Sequence, residues 1–188
     1  VTTSTMRDFV MLSRTSSDKI ELNNLSHGRW DVIARCVNSA LWIAHALRPA
    51  RMRVVLGAAH PPKTVVVDNT IKKVNPDEKN IAGWIAKVLT SASTNPGITV
   101  TEASFQATIK SLADRKLYVL HEKGQDIARV DFDDNPVIVL GDHIGLPPKD
   151  ETFVRRFDNE LVSVGPRSYL ASQCITAVNI HLDRLGIE

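Results

Sequence analysis

Apolar positions along the chain fall into two kinds of run, and the two kinds alternate. Short runs that are apolar at successive positions predict strands buried on both faces. "FVMLS" (Phe9 to Ser13), "MRVVLGAA", "TVVV" (Thr64 to Val67), "ITV", "LYVL", "PVIVL" and "ELVSVG" are of this kind. Longer segments between them repeat apolar residues at intervals of three and four, the spacing of one helix face. From Asp31 to Leu47, Ile33, Cys36, Val37, Ala40, Leu41, Ala44 and Leu47 predict one long helix, with Ser26 and Gly28 as breakers ahead of it. Ile81, Trp84, Ile85, Val88 and Leu89 predict a second, started by Pro76. Phe105, Ile109 and Leu112 mark a third over Glu102 to Leu112, with Thr101 as its cap. "ETFVRRF" gives a helical turn or two. Ser168 to Leu185 is the last helix, with Ala171, Cys174, Ile175, Val178, Leu182 and Leu185 on one side.

Doubly apolar strands alternating with amphipathic helices imply an α/β fold, a mostly parallel sheet with helices on both faces. Residues 1–188 read as a single domain with residues 1–5 as a disordered leader. "SASTNPG" reads as a surface loop, since no repeat or linker composition accompanies it.

Composition narrows the classes. At 188 residues and 43% hydrophobic, the chain is long enough to bury a core without staples. No run approaches a membrane span, and "VTTSTMRD" lacks the apolar centre of a secretory signal, so a soluble, cytoplasmic protein is expected. Cys36 and Cys174 fit no metal or disulfide spacing and read as thiols. A net charge of +2 is too mild to announce a nucleic-acid binder. Its distribution says more: Arg48, Arg51 and Arg53 fall within "RPARMR", and Arg29 and Arg35 flank the start of the first helix, giving the first half a basic surface.

In open α/β sheets, ligands collect beyond the carboxyl ends of strands. Two loops occupy such places: "GDHIGLPP" after "PVIVL", and "SVGPRSYLASQC" before the last helix. Gly141, Gly145 and Gly165 allow close backbone approach, and Pro147, Pro148 and Pro166 stiffen the turns, predicting a rigid backbone-lined pocket. No GxGxxG, P-loop or GxSxG pattern occurs, and Ser168 has no histidine nearby. His27, His45, His60, His121, His143 and His181 show no metal-site spacing, so no metal is expected. His45 and His181 read as surface or capping groups within helices. Asp142 beside His143 reads either as an acid/base pair or as loop hydrogen bonding.

"RDFVMLSR", "GRWDVIARCVNSALWIAHALR", "PPKTV", "NPDEKNIA", "VIVLGDHIGLP" and "SVGPRSYLASQCI" together resemble the archaeal TrmY family of tRNA pseudouridine N1-methyltransferases, within the SPOUT superfamily. The resemblance spans nearly the whole chain beyond residue 5. It implies a carboxyl-terminal trefoil knot, against the usual rule that chains do not thread loops. It also implies S-adenosyl-L-methionine held by the knot loops, a homodimer, and the T-arm of tRNA as partner, with methylation at pseudouridine 54.

Carried over by position, Leu120, Gly141, Val164, Gly165, Pro166, Arg167, Ser168, Tyr169 and Cys174 would border the cofactor, Cys174 as a small apolar wall rather than a nucleophile. Asp142 would orient or accept the N1 proton, with Asp8 as second candidate. Arg7, Arg14, Arg29, Arg35 and Lys63 would meet RNA phosphates. Trp30, Trp42 and Trp84 are candidates for base stacking, although Trp84 and Trp42 also fit a core role. Composition does not separate this activity from methylation of ribosomal pseudouridine or another RNA nucleotide, or from a catalytically silent RNA-binding module.

Overall fold

The structure, a computed structural model, describes residues 6–188; the leader expected over residues 1–5 lies outside them. The first apolar run becomes β1, which starts at Arg7 and ends at Ser13, and all seven of its residues are buried. Further strands are β4 (Ala50–Leu56), β5 (Lys63–Asp68), β6 (Ile98–Thr101), β7 (Leu117–Asp126), β8 (Val137–Gly141) and β9 (Asn159–Ser163). They form one seven-stranded sheet in the order β6-β5-β4-β1-β8-β7-β9. The β4-β1-β8-β7-β9 part is parallel, and β5 and β6 extend it antiparallel.

Successive side chains of β1 point to opposite faces. Phe9 and Met11 join the core under α1 (Trp30–Leu41), α2 (Glu78–Leu89) and α5 (Ala171–Leu185). Val10 and Leu12 pack with Phe105, Ile109 and Leu112 of α3 (Phe105–Leu112) and with Phe153 and Val154 of α4 (Pro148–Val154). Removing each such side chain from water is worth about 1.5–3 kcal/mol. This two-sided burial makes the strand runs uniformly apolar.

Several helix limits differ from the expected ones. α1 stops at Leu41, and Trp42–Ile43 (β2) and Ala46–Leu47 (β3) pair as a small antiparallel ribbon. The Arg48 N–H donates to Leu41 O at 2.8 Å, closing this ribbon back onto the helix end. His45 therefore lies exposed in a turn rather than in a helix. α3 is capped by Ser104, whose side chain accepts from the Ala107 N–H, while Thr101 pairs with Thr64 as part of β6. Asp77, not Pro76, caps α2 through the Asn80 N–H at 2.8 Å. α5 begins at Ala171, after Ser168, and Leu185 lies half-exposed.

β7 carries an irregularity of consequence. Leu120 and Gln125 both pair with Val162 of β9, so residues 121–124 leave the ladder as a bulge. Among the described residues, no helix is long and apolar enough to cross a membrane.

Candidate functional site

The carboxyl ends of β1, β8, β7 and β9 share one edge of the sheet, and a cavity of about 610 Å³ opens there. Its first wall follows β8. Gly145 has φ +84°, and its N–H donates to Asp142 O at 2.9 Å, so the loop turns straight back over the strand end. A Cβ on Gly141 would strike the backbone of Gly145 and Leu146; only glycine lets the two segments lie in contact.

Asp142 is 8% exposed. Its Oδ1 accepts from the Ile144 N–H at 2.9 Å and its Oδ2 from the Arg14 N–H at 2.7 Å. Both carboxylate oxygens thus serve backbone donors, one in its own loop and one beyond β1. His143 lies exposed at the tip of the same loop.

The second wall follows β9. The Ser163 hydroxyl donates to Gly165 O at 2.9 Å and tightens the turn, and the Tyr169 ring lies against Gly165 where a Cβ would stand. The first turn of α5 closes this side, with Cys174 half-buried at the cavity. The Gln173 side chain accepts from the Leu170 N–H at 3.0 Å, securing the start of the helix. The amide N–H groups of that first turn have no partner within the helix. Burial pushes the Cys174 thiol above its ordinary pKa, so it stays protonated at neutral pH. Cys36, fully buried on α1, is pushed up by burial to about 12.

Of the cofactor residues expected from the sequence, Leu120, Gly141, Val164, Gly165, Arg167, Ser168, Tyr169 and Cys174 all line this cavity. Pro166 is exposed in the turn and does not line it. The 121–124 bulge adds His121 and Lys123, which periodicity did not mark. The one local signal was Gly124, where a Cβ would collide with the Leu161–Val162 backbone.

Arg29 and Arg35 also line the cavity. Arg29 has φ 57°, which aims its side chain back toward Asp31; Nε and Nη2 reach that carboxylate at 3.0 and 3.2 Å. Arg35 Nη2 reaches Asp31 Oδ2 at 2.7 Å from one turn along the helix. Burial pushes the Asp31 pKa up, but the Arg29 hydrogen bond and both positive charges outweigh it and hold the carboxyl below its usual value. Asp31 was not singled out from the sequence, although its spacing of four from Arg35 was legible.

Other candidates lie elsewhere. Arg7 is buried, bonded to Asn179 Oδ1 and Asp183 Oδ1 at 2.8 Å each and to Ile187 O at 2.6 Å, so it anchors α5 and is closed to an RNA phosphate. Asp8, 1% exposed at the opposite end of β1 from the cavity, is enclosed by Arg51, Arg53 and Arg115. That enclosure removes it from proton transfer in the cavity. Arg14 is exposed beside Asp142, and Lys63 is bonded to Asp18 at 2.7 Å outside the cavity. Trp30 is fully buried and unavailable for stacking. Trp84 donates its indole N–H to Lys73 O and packs under Lys87 on α2, while Trp42 is half-buried. No group of three or more potential metal ligands occurs among the described residues.

Comparison with known proteins places this arrangement. Residues 6–187 match the family described as "Putative SAM-dependent RNA methyltransferase". The chain is 42% identical to the tRNA (pseudouridine(54)-N(1))-methyltransferase of Pyrococcus abyssi, over 85% of this chain and 87% of that one. It is 36% identical to the enzyme of the same name from Thermococcus gammatolerans, over 96% and 98% of the two chains. Among solved structures it resembles Archaeoglobus fulgidus Nep1 bound to S-adenosylhomocysteine, with TM-score 0.68, 14% identity, and 96% and 99% coverage. It also resembles the ribosomal RNA small subunit methyltransferase E of Neisseria gonorrhoeae bound to S-adenosyl methionine, with TM-score 0.53, 11% identity, and 96% and 66% coverage. At these identities the structural likeness concerns the fold alone. By the extent of the family match and the identity to its archaeal relatives, the chain belongs to the SAM-dependent RNA methyltransferase family.

Proposed function

We propose that this chain methylates N1 of pseudouridine 54 in the T-loop of tRNA, with S-adenosyl-L-methionine as donor. The observation that carries the reading is the convergence, at one edge of the sheet, of two glycine-built turns with two arginines paired through a single carboxylate. A cavity of about 610 Å³ lies in the range of small-molecule sites. Gly141 brings backbone rather than a side chain to one wall, while the Tyr169 ring lies over Gly165 on the other, which fits a ligand held between main-chain groups and an aromatic ring.

When bound, the donor supplies an electrophilic methyl group on a sulfonium. Leu120, Gly141, Val164, Gly165, Arg167, Ser168, Tyr169 and Cys174 would enclose it, and Pro166 would shape the turn between them. Pseudouridine is joined to ribose through carbon, so its N1 retains a proton and can be methylated. The protein aligns that nitrogen behind the methyl group and assists loss of the proton. Asp142 positions the cavity by holding two loops through their backbone N–H groups. Arg29 and Arg35 at the mouth meet the RNA, with Arg14 beside them. Extraction of the base from its loop into the cavity completes the reading.

The same reading includes a cytoplasmic homodimer and a knotted carboxyl terminus.

Methyl transfer to a T-arm RNA carrying pseudouridine at position 54, compared with the same RNA carrying uridine, tests the proposal. Labelling of the pseudouridine RNA alone is expected, and labelling of both or neither overturns it. Thermal stabilisation by S-adenosyl-L-methionine gives an independent measure of the cofactor site. No shift at saturating donor favours an RNA-binding module without transfer activity.

A further inference from the structure

At the amino-terminal end of β1, away from the cavity, one carboxylate faces three guanidinium groups. Asp8 is 1% exposed; Arg115 Nη1 reaches its Oδ2 at 2.6 Å, while Arg53 Nε and Arg51 Nη1 approach Oδ1 at 3.0 and 3.5 Å. Each nitrogen of Arg115 has an acceptor, since besides the Asp8 contact of Nη1, Nε donates to Asn135 O at 2.9 Å and Nη2 to Met6 O at 3.1 Å. Arg51 and Arg53 are not. Arg51 offers Nε and Nη2, and Arg53 offers Nη1 and Nη2, with no acceptor for any of these atoms among the described residues. Their side chains are 27% and 19% exposed, so the spare donors are partly withdrawn from water yet reachable.

The charge balance is uneven. Three cations share one anion, and Asp68, the register partner of Arg51 on β5, turns its carboxylate onto the Thr70 N–H and hydroxyl. Partly desolvated guanidinium groups with idle donors are favoured by an added oxyanion, to which they bond in charge-assisted fashion.

We propose that Arg51 and Arg53, backed by Asp8 and Arg115, bind a phosphate of the RNA substrate distant from the target nucleotide. Five residue steps along β1 carry the chain from Asp8 to Ser13 at the cavity end, about 17 Å at roughly 3.3 Å per step. The site therefore engages a part of the RNA other than the flipped base and fixes how the substrate lies across the protein. The inference rests on the reading of the chain as an RNA methyltransferase, and its test separates the two.

Arg51→Gln, Arg53→Gln and the double variant are compared with wild type in binding to a tRNA transcript over a range of salt concentrations. The double variant is expected to bind several-fold more weakly, and the slope of log K against log salt to fall by about 0.7–0.9 for each phosphate that is no longer neutralised. Arg51→Lys with Arg53→Lys keeps the charge and is expected to recover most of the slope. An unchanged slope and affinity in variants that still show the wild-type thermal shift with S-adenosyl-L-methionine overturns the site. Should Arg53→Gln destabilise the fold by exposing Asp8, Arg51→Gln decides, because its 3.5 Å approach makes it the looser partner. A slope that differs between wild type and the variants, together with no labelling of pseudouridine by wild type, would leave this site standing and remove the methylation reading.

Discussion

Asp142 Oδ2 accepts the Arg14 backbone N–H at 2.7 Å, across 128 positions of sequence. With Oδ1 on the Ile144 N–H, one side chain fixes the exits of two neighbouring parallel strands relative to each other. The cavity mouth is set by that bond as much as by the sheet.

Asp142→Asn keeps one acceptor oxygen in place, and Asp142→Ala removes both. The alanine variant is expected to lose about 1 kcal/mol in urea unfolding, the cost of leaving two partly buried N–H groups without their partner. The asparagine variant should retain measurable methyl transfer. Complete loss of transfer with undisturbed donor binding would move proton acceptance to this carboxylate.

Gly141→Ala drives a methyl group into the Gly145–Leu146 backbone. Overpacking of this kind costs about 1–3 kcal/mol, which lowers the melting temperature by about 2–4 °C per kcal/mol in a chain of this size. Donor affinity should fall more than stability does, as titration calorimetry would register. A variant with wild-type affinity would show that the loop moves aside freely.

Asp31→Ala frees Arg29 and Arg35 from their shared partner. The pairs are half-exposed, so the stability change is expected to stay under about 1 kcal/mol. RNA binding should weaken as the two guanidinium groups lose their fixed spacing. Reversing the charge of Arg29 and Arg35 should weaken it further and flatten its salt dependence, and an unaltered salt slope would remove both from the RNA interface.

Cys174→Ser and Cys174→Ala should both support methyl transfer, since the thiol is held protonated by burial and its place is that of a wall. Loss of all turnover with donor binding intact would assign it a chemical role.

Acid stability has a specific source in Asp183. Burial pushes its pKa up, but hydrogen bonds from Arg48 and Arg7 outweigh this and hold it below the usual carboxylate value. A carboxyl depressed in the folded state contributes stability above its unfolded pKa, about 3.9, and loses it as pH falls through the folded pKa. Melting temperatures between about pH 5 and pH 2.5 should therefore fall less steeply for Asp183→Asn than for wild type. Parallel curves would place the acid sensitivity elsewhere.

The strand runs were legible because a parallel sheet covered on both faces leaves no room for polar positions in its centre, as Val137 to Leu140 illustrate. The loops after β8 and β9 were legible through their glycines. The end of α1 was not. Ala44 and Leu47 continue the helical spacing of Leu41 by coincidence, and no glycine or asparagine marks the turn of the β2–β3 ribbon. The roles of Arg7 and Asp8 were hidden for a different reason. Their partners lie between 43 and 180 positions away, beyond the reach of any local pattern. Arg29 and Arg35 were read as basic surface; their meeting at the cavity depends on the left-handed backbone at Arg29, which no residue type announces.

Asn179 donates from its amide to Ser39 O at 2.9 Å and accepts from Arg7, and the carbonyl of Glu188 accepts from the Asn135 N–H at 3.2 Å. The helix whose first turn walls the cavity is thus moored at its far end. Loosening the Arg7 bonds to Asn179 and Ile187 would therefore be felt in a binding pocket a helix length away.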